Sequence, residues 1–76
     1  LIKFSIAKDE MVSLDIFDIN GRLINSLIKH SYLTSGHYDV HWDGTNSNGL
    51  QVPSGMYIYK LINNSQTITK KMVLMK

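Results

Sequence analysis

Cysteine is absent from this sequence, and proline, tryptophan and glutamate occur once each. Without cysteine there is no disulfide framework and no thiolate metal site, while the redox compartment stays open. No apolar run approaches the ~18–20 residues that a membrane helix needs, so no membrane span is expected. A signal peptide is missing too, and the first residue is Leu1 rather than Met. Residues 1–76 are therefore expected to be a single domain cut from a longer protein. Charged residues are sparse at 18%, against a hydrophobic share of 43% that sits near the globular norm and argues against disorder. The formal charge is only +2. The late basic residues Lys60, Lys70, Lys71 and Lys76 flank a hydrophobic stretch instead of alternating with aromatics, so no nucleic-acid partner is expected.

What the chain does contain is alternation. A domain of this size buries roughly 60% of its unfolded surface, so most apolar side chains must find one thin core. "LIKFSIA" sets Ile2, Phe4 and Ile6 on one face, and "MVSLDIFDI" sets Val12, Leu14 and Ile16 against Ser13 and Asp15. This period of two is that of half-buried strands. Asn20-Gly21 follows, a strong hairpin signal that predicts a type I′ turn with positive φ at both residues. "RLINSLI" can be read as helix or strand; seven residues are too few for a helix to stand alone, and a strand returning from the turn is the favoured reading. "GHYDVHW" places Tyr38, Val40 and Trp42 opposite His37, Asp39 and His41, and "MYIYKLI" places Tyr57, Tyr59 and Leu61 together. Pro53 and Gly55 fit a β-turn, and Asn63-Asn64 a further one. About seven short antiparallel strands, with turn signals between them, predict an all-β immunoglobulin-like sandwich.

The stretch "WDGTNSNG", residues 42–49, has the composition of a calcium loop but the wrong register. Counting back from Gly49, the first ligand position falls on Gly44, which has no side chain, and Asp43 is one residue out of place. The corner reading accounts for every residue. Asp43 and Thr45 can bond to nearby backbone amides, and Gly44 and Gly49 supply backbone angles closed to other residues. His37, Asp39 and His41 share a strand face, yet the outer two start ~13 Å apart at the spacing of a strand, whereas ligands to one zinc ion converge to ~2.0–2.2 Å of it. No metal and no cofactor are expected. Nor is there a nucleophile elbow or a paired-carboxylate arrangement, so no catalytic residue is nominated. Tyr32, Tyr38, Trp42, Tyr57 and Tyr59 could form a sugar platform, but most lie on inward faces, where rings supply core burial.

The run "GHYDVHWDGTNSNGLQVPSGMYIYKL" resembles the immunoglobulin-like module of flagellar hook-capping proteins. It is equally similar to the type A C-terminal sorting domain carried by cargo of the bacterial type IX secretion system. The matching positions are Trp42, Asp43, Gly44, Gly49, Val52, Ser54, Gly55, Tyr57 and Tyr59. The terminal "TKKMVLMK" adds Lys70, Lys71 and Lys76, and the opening hairpin adds Gly21. The Asn-Pro-rich segment that usually precedes the first strand in the family is not in this sequence. A buried Trp42 and a corner Tyr57 would suit an immunoglobulin-like core.

What the resemblance implies first is a non-enzymatic C-terminal sorting or anchoring module behind an upstream cargo domain. Its partners would be the outer-membrane secretion machinery and a cell-surface processing protease, with Lys70, Lys71 and Lys76 as the recognised surface. Its location would be extracellular or at the cell surface, after transit through the periplasm. The alternatives are a structural assembly module of a hook-capping protein, or a carbohydrate-binding accessory domain of a secreted enzyme. Fold alone does not choose among them.

Overall fold

A computed structural model describes residues 1–64 and 66–75. The described chain is built from strands β1 (Ile2–Ile6), β2 (Glu10–Asp18), β3 (Leu23–Leu33), β4 (Gly36–Val40), β5 (Gly55–Asn63) and β6 (Thr67–Leu74). They form two antiparallel sheets, β1-β4 and β3-β2-β5-β6. This is the expected immunoglobulin-like sandwich, with six strands in place of about seven. The stretch between β4 and β5, read from the sequence as a corner, adds no strand. There the chain makes only an isolated bridge, Thr45 to Gln51, because its glycines and short polar residues turn it back on itself before a ladder can extend.

The period-two pattern placed the core correctly. Val12, Leu14 and Ile16 have no exposed surface, and Leu61 retains 2%. Ile2, Ile6, Trp42, Val52 and Tyr57 complete the buried cluster. Phe4 and Tyr38 stack with ring centroids 5.3 Å apart, closing β1 on β4. The ambiguous "RLINSLI" lies within β3, paired with β2. Burying a Leu or Ile side chain contributes about 1.5–3 kcal/mol, which outweighs weak local helix preference once an antiparallel partner is available.

The first hairpin does not close as a type I′ turn. Gly21 has φ of +86° but Asn20 is not among the residues with positive φ. Instead Gly21 N–H donates to the Asp18 carbonyl and Asp18 N–H to the Arg22 carbonyl, both at 3.0 Å, making a three-residue loop with glycine in the left-handed position. The cause is Asp18. Its Oδ1 accepts from the Asn20 and Arg22 backbone N–H groups at 2.9 Å, holding the turn from within. On β3, His30 carries φ of +42° where the register with β2 shifts between Val12 and Leu14. Its N–H donates to Ser13 Oγ at 3.1 Å, so the extra residue is a β-bulge with its own anchor.

Tyr57 sits where the chain turns into β5. It is 6% exposed, and its hydroxyl donates to the Pro53 carbonyl at 2.7 Å, the geometry of a tyrosine corner. Tyr57→Phe keeps the ring but leaves that carbonyl without its partner. A loss of about 1 kcal/mol is expected, read as a melting temperature lowered by about 4–8 °C. An unchanged melting temperature would show that the hydroxyl contributes nothing to the corner.

Candidate functional site

The motif residues around Trp42 and Tyr57 converge on one end of the sandwich, the end that carries residue 1 and the close of β6. Trp42 follows β4 by two positions rather than lying on a strand. It is 8% exposed; its ring meets Tyr57 edge-on at 5.1 Å and 71°, and its indole N–H donates to the Thr45 carbonyl at 2.9 Å. The same carbonyl accepts from Asn25 Nδ2 at 3.0 Å, and Ser47 N–H donates to the Ile24 carbonyl at 2.9 Å. The corner is thus pinned to the start of β3 on one side. On the other, Gly44 is buried with φ of +81°, and a Cβ there would stand 3.2 Å from Leu74 Cδ2. Glycine suits this position by its angle, and any side chain would press on the Leu74 side chain of β6.

Asp43 does what the corner reading asked. Its Oδ1 accepts from the Thr45 hydroxyl at 2.6 Å and the Thr45 N–H at 3.2 Å. Asn46 then repeats the Asp18 turn. Asn46 N–H donates to the Leu50 carbonyl and Gly49 N–H to the Asn46 carbonyl, while Asn46 Oδ1 accepts from Asn48 and Leu50 N–H at 2.9 and 3.1 Å. "DINGR" and "NSNGL" are one device used twice: an Asx residue, two loop positions, a left-handed glycine and a pairing residue. The sequence marked both glycines but not the Asx residue three places earlier that sets the turn.

Ser54 and Gly55 are exposed and lead into β5, and Tyr59 is half-buried against the core, opposite Ile16 and Lys70. Lys70 and Lys71 are both exposed but do not make one surface. Lys70 pairs with Tyr59 and Lys71 with Ile58, so successive side chains of the strand leave on opposite faces. Lys76 lies outside the described residues. His37 and Asp39 are exposed on the outer side of β4, with His37 opposite Ser5 and Asp39 opposite Lys3, and His41 is exposed just past the strand's end. Among the described residues no group of three His, Asp or Glu is placed to hold a metal ion.

One feature was not signalled by any motif. Glu10, at an inward position of β2, is 7% exposed, and its Oε1 is buried without a hydrogen-bond partner among the described residues. It borders an open groove of about 500 Å³ at the opposite end of the sandwich, together with Ser5, Lys8, His37 and Gln66. A second groove of about 490 Å³ runs beside the corner, lined by Arg22, Ile24, Asn46, Pro53 and Tyr57.

An antiparallel sandwich with a corner tryptophan and a corner tyrosine defines an immunoglobulin-like module. The profile of the FlgD Ig-like domain matches residues 3–66, and the chain belongs to that family. The match ends before β6, leaving Lys70 and Lys71 beyond it. Searches of curated proteins and of solved structures return no match.

Two predictions follow from this geometry. Trp42→Ala removes a ring that joins the corner to β5, at an expected cost of about 3–5 kcal/mol; a variant melting within a few degrees of the parent would sink the assignment. The second concerns acid. The Asp18 carboxyl is held below its ordinary value of 3.8, first by the Arg22 backbone N–H. The Asp43 carboxyl is held below the same value, first by the Thr45 hydroxyl. A depressed folded-state pKa gives stability that is complete above the unfolded value and is lost as the pH falls through the folded one. Asp18→Asn and Asp43→Asn should therefore each flatten the decline in melting temperature below pH 3.8. Equal steepness in parent and variants would refute it.

Proposed function

We propose that this domain is a non-catalytic structural module of the kind carried by flagellar hook-capping proteins, a rigid block used in extracellular assembly. The observation that carries this reading is that the family's motif residues are absorbed by the fold. Trp42 and Tyr57 fill and close the corner, Asp43 and Thr45 cap it, and Gly44 lets β6 approach. Trp42, Gly44 and Tyr57 are buried, and the exposed Asp43 engages Thr45 through its Oδ1. The family match supports the same reading and adds nothing in favour of export.

The sorting module, with secretion machinery and a surface protease as partners, is the competing reading. It needs the terminal lysines to act as one recognised surface, whereas Lys70 and Lys71 leave β6 on opposite faces. A location outside the cell, reached through the periplasm, is what the sorting reading would require. The two readings separate in the full-length parent carrying Trp42→Ala, which is expected to unfold this domain. The assembly reading expects the parent to be exported at its normal level but not incorporated into its structure. Export lost by this variant, and by a Lys70→Gln, Lys71→Gln, Lys76→Gln variant that melts normally, would establish sorting and overturn the assembly role.

A further inference from the structure

The outer face of the four-stranded sheet carries a contiguous apolar raster. Leu23 of β3 stands opposite Phe17 of β2, Phe17 opposite Ile58 of β5, and Ile58 opposite Lys71 of β6. In the next row out, Met56 stands opposite Val73. These positions alternate with Ile16, Tyr57 and Met72, so they face away from the core. Leu23 is 58% exposed, Met56 48% and Val73 64%. Strands lie ~4.8 Å apart and same-face residues ~7 Å apart along a strand, so these side chains adjoin one another. Single exposed apolar residues need no explanation, but a contiguous group marks an interaction surface.

Charge indicates what fits it. Lys71 closes the first row and makes no ion pair among the described residues, where the salt bridge found is Arg22 with Asp18. Lys60 lies on the same face with its ammonium 5.1 Å from the centre of the Phe17 ring. The acid across the strand pair from Lys60, on the same face, is Asp15. A second copy laid face to face would bring two lysines from each chain together with one carboxylate apiece. An anionic membrane is a poorer match still, since lipid-reading patches gather about 4–8 basic residues and a flat sheet offers no wedge to insert.

We propose that this face docks a partner protein segment presenting apolar side chains bordered by carboxylates that meet Lys71 and Lys60. The proposal rests on the assembly reading and supplies its contact surface. A displayed library of random peptides, selected on the intact domain, tests it. Enriched peptides should combine Leu, Ile or Phe with Asp or Glu, and should shift the amide resonances of Phe17, Met56, Ile58 and Val73. Lys71→Glu, an exposed change that leaves melting unaltered, should weaken them by at least ~10-fold, and exchanging their acids for lysine should restore binding, as close charge pairs across interfaces couple strongly.

Several results would overturn the proposal: no enrichment, an acid-free consensus, or shifts confined to another face. Concentration-dependent dimerisation abolished by Val73→Asp would replace the partner with a second copy. Binding to phosphatidylglycerol vesicles that Lys71→Glu abolishes would replace it with a lipid surface. Because the parent's assembly phenotype with Trp42→Ala is read separately, failure of this surface leaves the module reading standing, and the reverse.

Discussion

The indole of Trp42 is the constraint on which the rest of this small sandwich depends. A two-stranded sheet over a four-stranded one covers little, and neither sheet alone buries enough apolar surface to persist. Trp42 lies at the exit from β4, meets Tyr57 on β5, and donates to the Thr45 carbonyl that also receives Asn25 from β3. One side chain thereby ties the short sheet to two strands of the long one. The loop it anchors then reaches β6, where Gly44 lies against Leu74. A bulky residue at that glycine, or a small one at Trp42, would disturb the same joint from opposite sides.

The fold was legible in the sequence because it rests on period two, which is local and repeated. Val12, Leu14, Ile16, Tyr57 and Leu61 all sit where alternation put them. Turn chemistry was less legible. Asn-Gly reads as a type I′ signal, yet both turns are set by the Asx residue upstream, Asp18 or Asn46, whose carbonyl-type oxygen holds two backbone N–H groups. The competition is between the dihedral preference of Asn and a pair of side-chain hydrogen bonds, and the bonds prevail. The bulge at His30 had no signal, since its anchor, Ser13, lies on another strand. The six strands fall on the six apolar runs of the sequence, one fewer than the estimate of about seven.

Site residues divide in the same manner. Of those named from the motif, Asp43 bonds locally to Thr45 and Tyr57 to the Pro53 carbonyl, which composition could suggest. Trp42 against Tyr57 and Gly44 against Leu74 are long-range contacts that it could not. The lysines are different. "KK" looks like one basic patch in a sequence, but a strand sends neighbours to opposite faces, and only the register shows which face each one serves. Glu10 was equally opaque: its position at the head of an inward-facing run made burial inferable, but the lack of a partner for its oxygen among the described residues follows from what surrounds it.

That split between Lys70 and Lys71 bears on how such a module can assemble without aggregating. β6 is an edge strand, and an open edge is a template for uncontrolled pairing. Lys70 shares its side of β6 with Ile68, Met72 and Leu74, yet it remains exposed while they are partly buried. A charge on the inward side of an edge strand opposes a further strand, because pairing there would carry the ammonium into the sandwich. The other edge of the sheet, β3, is bent at His30 by its bulge, which spoils the regular ladder a new strand would need. The short sheet exposes edges of only five residues each. With its edges guarded, the domain has its outer sheet face left for association, where contact depends on side-chain fit and on the placement of Lys71 and Lys60. Backbone pairing is indifferent to sequence; face packing is selective, and selectivity is what a building block needs.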